Sequence, residues 1–203
     1  MSVISVISQK GGEGKTPISF NLANELGSRI LTNDNDILEL IFAPNAKIMP
    51  LKEIASYDLK NSGKDFVIDF GGFVEAETIS IIKDSDLVIV PTRNNPSSIK
   101  RGYQTIQELQ KHNKNIIVVV TMTKKDRDFG QVQKHFKDLE IKAFYELKLT
   151  ELFGYSMEVG QTINEYVKDS PLMLHRYGRR EGQINDSILE QWDNLMTYIK
   201  GAL

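Results

Sequence analysis

Cysteine is missing from all 203 residues. That excludes disulfide bonds, thiolate-held zinc and cysteine-held iron–sulfur clusters. No apolar run approaches the roughly 18 residues that a membrane-spanning helix needs. There is little excess charge: 25 Lys and Arg against 27 Asp and Glu leave a net charge of −2. The chain is therefore no polycation, and any binding to nucleic acid must come from local patches. Internal repeats, low-complexity tracts and linkers are also lacking, so residues 1–203 read as a single domain. The chain enters its first strand directly, and no secretory or transit segment is expected.

What is present is an alternation of strand and helix. Strands are expected at Val3–Ser8, Ile30–Thr32, Phe66–Phe70, Leu87–Pro91, Ile116–Met122 and Ile141–Leu147. Helices are expected at Pro17–Leu26, Leu51–Leu59, Val74–Lys83, Pro96–Lys111, Phe129–Leu139 and Asn185–Lys200. Runs such as Ile116-Ile117-Val118-Val119-Val120 are apolar throughout, which fits strands buried on both faces of a parallel sheet. Asn95-Pro96 offers a helix cap followed by Pro at the first helical position, and Asn61-Ser62-Gly63 reads as a turn. The expected fold is α/β: a doubly wound, mostly parallel sheet with helices on both faces, with ligands at the carboxyl ends of the strands.

The strongest chemical signal is Ser8-Gln9-Lys10-Gly11-Gly12-Glu13-Gly14-Lys15-Thr16, set between the first strand and the first helix. In that setting a Gly-rich loop cradles phosphates with backbone N–H groups. Lys15 would reach the β/γ-phosphates and the Thr16 hydroxyl would ligate Mg²⁺. Asp69 ends the apolar strand Phe66-Val67-Ile68-Asp69 and precedes Gly71-Gly72, where a Walker B carboxylate supports Mg²⁺, often through water. Those glycines would let the chain respond to the γ-phosphate. Asp34 and Asp36 lie in Asn33-Asp34-Asn35-Asp36, which also suits a plain polar turn.

A lysine at position 10 resembles the deviant Walker A box, KGGxGK[ST], of the ParA/MinD family of ATPases. The resemblance spans essentially the whole chain and looks nearest to the small ParF-like partition proteins. Asp86-Leu87-Val88-Ile89-Val90-Pro91-Thr92 and Glu158-Val159-Gly160-Gln161-Thr162-Ile163 are similar to later family segments. Nitrogenase iron proteins and iron–sulfur carriers share this loop but need cysteines. The resemblance implies a P-loop NTPase, Rossmann-like three-layer sandwich that binds ATP, ADP and Mg²⁺ and hydrolyses ATP slowly. It implies an ATP-bound homodimer, nonspecific DNA, a ParB-like partner, and a cytoplasmic, nucleoid-associated role in plasmid or chromosome segregation. Lys10 would reach the partner's nucleotide, Asp34 would join Thr16 and Asp69 at the metal, and Asp36 would position the attacking water. The nucleotide would be bound by Lys10, Gly11, Gly12, Glu13, Gly14, Lys15, Thr16 and Pro17.

Three departures stand out. Pro17 replaces a second Ser or Thr and offers the α-phosphate neither hydroxyl nor N–H. Ile37-Leu38 replaces the usual Pro-Gln. Glu13 puts a carboxylate close to a triphosphate, with Lys10 of a facing subunit as its expected counter-charge. These favour an alternative, a weakly hydrolysing ATP-switched regulatory scaffold. Adenine recognition is expected around Thr121-Met122-Thr123. DNA phosphates could meet His175, Arg176, Arg179 and Arg180, or Lys124, Lys125 and Arg127. The last helix carries Ile188, Trp192, Leu195, Met196 and Ile199 on one face and Asp186, Glu190 and Asp193 on the other. Anionic lipid would repel that acidic face, so packing on the sheet is expected rather than a MinD-like membrane contact.

Overall fold

Apolar runs become strands whose alternate side chains feed two cores. Ile116, Val118 and Val120 enter one, and Ile117 and Val119 the other. The computed structural model describes residues 1–34, 45–72, 76–177 and 187–203. The strands are β1 (Val3–Val6), β2 (Arg29–Thr32), β3 (Ala46–Ile48), β4 (Phe66–Asp69), β5 (Leu87–Arg93), β6 (Ile116–Thr123) and β7 (Ala143–Lys148). They form a seven-stranded sheet in the order β3-β2-β4-β1-β5-β6-β7, with every pairing parallel.

The handedness of the crossovers assigns the helices to faces. β1 connects to β2 through α1 (Lys15–Leu26), running toward the β3 edge. The connections through α2 (Leu51–Ser56), α3 (Ala76–Asp84), α4 (Pro96–Leu109) and α5 (Asp126–His135) run the opposite way. Right-handed crossovers of opposite direction lie on opposite faces. Accordingly Ile54, Ile82, Ile106 and Val132 fill one core, and Ile18, Phe20 and Leu22 of α1 fill the other. The face of α1 is completed by α6 (Leu152–Glu158), α7 (Ile163–Asp169) and α9 (Ile188–Ala202) after the last strand. The chain parts at the carboxyl end of β1, where the loops after β1, β4 and β5 meet.

The structure corrects several limits. β3 and α6, α7 and α8 (Pro171–Tyr177) were not foreseen. β3 is a three-residue edge strand with Lys47 and Ile48 exposed, and the three helices have seven residues each. Segments so short carry too few periods to be read. α5 starts earlier than expected because the Asp128 carboxylate accepts the Lys124 and Lys125 amides and caps it. α9 starts at Ile188 behind a Ser187–Glu190 capping box. Asn95 caps α4 as expected, accepting the Ser98 amide, with Pro96 at the first helical position.

Candidate functional site

The loop after β1 turns on glycine. Gly12 and Gly14 have φ of 74° and 87°, a left-handed conformation that L side chains resist. Gly14 is also the N-cap of α1, so the first N–H groups of that helix face the mouth of the loop. Beneath it, β4 pairs with β1 in a register that sets Asp69 beside Val6. Asp69 is 1% exposed. Its Oδ2 accepts the Thr16 hydroxyl at 2.8 Å and its Oδ1 the Ser19 hydroxyl at 3.0 Å. Burial pushes its carboxyl up to about 6; the two hydroxyls and buried Lys15 pull it down, and Asp34 adds to the rise. Ser19 was not singled out from sequence, although its i+3 spacing from Thr16 places both hydroxyls on one helix face.

The two acid-bearing loops touch. Asn33 Oδ1 accepts the Gly71 amide at 2.9 Å, and the Asp34 amide donates to Thr32 Oγ1 at 3.0 Å. A Cβ on Gly71 would come 3.1 Å from the Asp34 Cα. That glycine therefore serves a close approach of two loops, beyond the freedom expected of it. Asp36 and Ile37-Leu38 lie outside the described residues. Among the described residues no group of three or more His, Asp or Glu is placed to hold a metal. The oxygen set of Thr16, Asp69 and Asp34 nevertheless suits Mg²⁺, which commonly takes one or two carboxylates and completes its shell with water and phosphate.

Glu13 does not face the mouth of the loop. It is 1% exposed, and its Oε2 accepts the Arg93 amide at 2.8 Å. Its Oε1 accepts the Ser98 hydroxyl at 2.6 Å and lies 3.4 Å from Lys10 Nζ of the same chain. Lys10 Nζ also donates to Ser98 Oγ at 2.8 Å and Asn95 Oδ1 at 3.2 Å. The pairing expected across a dimer is thus already made within one chain, because the β5–α4 turn supplies donors to a carboxylate that turns inward. Asn95 was legible only as a helix cap, and Ser98 was not singled out from sequence.

Beside the loop lies a cavity of about 380 Å³ lined by Gly14, Pro17, Met122, Leu147, Phe153 and Tyr155 among others. Met122 and Thr121, singled out from sequence, both border it. The Thr121 hydroxyl donates to the Glu13 carbonyl at 2.9 Å, and Met122 has a φ of 56°. Pro17 sits in the first turn of α1, where its missing N–H leaves no helix bond unmade.

Lys124, Lys125 and Arg127 are exposed at the start of α5. His175 and Arg176 are exposed on α8, with the Arg176 guanidinium 5.2 Å from the Tyr177 ring centre. Arg179 and Arg180 lie outside the described residues. The apolar face of α9 packs as expected: Ile188, Trp192, Leu195, Met196 and Ile199 are buried in the core. Among the described residues no helix is long and apolar enough to cross a membrane.

Comparison with known proteins agrees with this geometry. No curated protein sequence matches the chain. Among solved structures it is similar to the MinD cell division ATPase of Pyrococcus furiosus, with a TM-score of 0.66 and 15% identity over 100% of this chain and 99% of that one. It is also similar to the septum site-determining protein MinD of Pyrococcus horikoshii OT3, solved with Mg-ADP, at 0.63 and 15% over 100% and 98%. A ParA family ATPase from Chlorobium tepidum TLS aligns at 0.59 and 16% over 85% and 94%. At such identities the likeness establishes the fold: a P-loop NTPase-type, Rossmann-like α/β sandwich. Residues 4–164 match the model of the CobQ/CobB/MinD/ParA nucleotide binding domain, most of the chain. The chain belongs to that family.

Proposed function

We propose that this protein is a ParA-type ATPase that converts ATP and water to ADP and phosphate and uses the nucleotide to join two chains. The observation that carries the reading is the convergence of the Thr16 and Ser19 hydroxyls on buried Asp69, whose carboxyl also feels the charge of Lys15, beneath a glycine loop that opens a helix. Lys15 binds the β/γ-phosphates, and Gly11, Gly12 and Gly14 offer backbone N–H groups. Thr16, Asp69 and Asp34 hold Mg²⁺, which supplies positive charge to the phosphates when bound. Lys10 reaches the partner's nucleotide, and Asp36 orients the water. The cavity beside Pro17 and Met122 is roomy and mostly apolar, as a purine base requires. The joined chains bind DNA phosphates nonspecifically through Arg176, Arg179 and Arg180, and a ParB-like partner stimulates turnover during plasmid or chromosome segregation at the nucleoid.

Phosphate release measured with Mg²⁺ and ATP tests the reading. Slow turnover that rises with DNA and a DNA-binding partner is expected, and none with Lys15→Ala. Pro17 favours a second reading, in which ATP holds a regulatory dimer that hardly turns over. Dimerisation on ATP without stimulation by DNA or partner would select it.

A further inference from the structure

A lysine at the N-terminus of a helix is in the wrong field. The helix dipole there is positive and favours anions. Yet Lys10 Nζ is held at the start of α4, by the capping Asn95 and by Ser98. The charge that makes this seat tolerable is Glu13. A carboxylate only 1% exposed carries a large desolvation cost unless its oxygens are filled. Here both are filled, by the Arg93 amide and the Ser98 hydroxyl, and the ammonium of Lys10 stands 3.4 Å away. Ser98 is the hub: its hydroxyl donates to Glu13, while it accepts from Lys10 and from Asn95 Nδ2 at 2.7 Å.

We propose that Glu13 is a positioning residue that seats Lys10 on the N-terminus of α4 in the single chain, and that pairing of two chains on nucleotide draws Lys10 from this seat. The second half rests on the ATP-joined dimer proposed above. Glu13 thereby restrains pairing: the carboxylate competes with a facing nucleotide for the same ammonium.

The test begins in the ligand-free chain, where no dimer is needed. Lysines are labelled with an amine-reactive anhydride and read by mass spectrometry, with exposed Lys64 as internal reference. Glu13→Gln keeps the shape and removes the charge, so Lys10 labelling should rise severalfold while Lys64 is unchanged. Should that variant not fold, Ser98→Ala removes the nearest oxygen of the seat and should give the same rise. Unchanged Lys10 labelling in a folded variant overturns the proposal. The second arm measures the dimer dissociation constant with a nonhydrolysable ATP analogue. Glu13→Gln should tighten the dimer severalfold, and this gain should vanish in Lys10→Ala. An equal effect in both backgrounds, or a weaker dimer, overturns the restraint. If the unaltered chain never pairs on nucleotide, the proposed function fails while the labelling result still decides the seat.

Discussion

Two carboxylates flank the phosphate loop, and both are 1% exposed, but they are treated differently. Asp69 is met by two hydroxyls, feels Lys15 only at a distance and has Asp34 nearby, so burial still pushes it up to about 6. Glu13 is met by an amide and a hydroxyl and has an ammonium 3.4 Å away. The inner acid is left short of positive charge, as suits a group awaiting a cation. The outer acid already has its cation and is suited to hold a side chain in place.

The largest expected effect breaks the inner side. Lys15→Ala should weaken nucleotide binding by about 100-fold or more, because charge-assisted contacts of about 1.5–3 kcal/mol each are lost. Calorimetry with ATP checks this.

Asp69→Asn sharpens the comparison through pH. The folded carboxyl titrates near 6 rather than at its ordinary 3.8. The folded chain then holds that proton more tightly than the unfolded chain, so protonation stabilises the fold. That contribution is fully present below about pH 4 and is lost as pH rises toward about 6, amounting to about 3 kcal/mol. Relative to the unaltered protein, Asp69→Asn should gain stability in urea melts across that window and stay ahead above it. Parallel stability curves from pH 4 to 7 would mean that Asp69 is not undercompensated.

Ser98→Ala probes the outer side. It strips one hydrogen bond from buried Glu13 and one from Lys10, and should cost about 1–3 kcal/mol in thermal or urea unfolding. A change within error would show that Glu13 does not depend on the α4 turn. The smallest effect lies away from both acids. Arg176→Glu should lower the salt slope of nonspecific DNA binding by about one unit. An unchanged slope would make Arg176 ordinary surface.

The inner side was legible in the sequence because its parts announce themselves locally. The glycines, Lys15 and Thr16 are contiguous, and Asp69 ends an apolar strand that only a buried parallel sheet accommodates. The outer side was hidden because Arg93 and Ser98 lie 80 and 85 residues from Glu13 in sequence and meet it only after β5 pairs beside β1. Glu13 was read as facing a second chain, since nothing local shows that the Arg93 amide and Ser98 await it. Likewise β3, α6 and α7 are fixed by the sheet edge and face they cover, and α8 by its packing on α7, rather than by their own periodicity.

The central claim is that nucleotide at this loop joins two chains. Sedimentation velocity with Mg²⁺ and a nonhydrolysable ATP analogue tests it most directly, with ADP and no nucleotide as controls. A dimer with the analogue and single chains in both controls is expected, with Lys15→Ala remaining single throughout. Single chains in the presence of bound analogue, or a dimer indifferent to nucleotide, would contradict it.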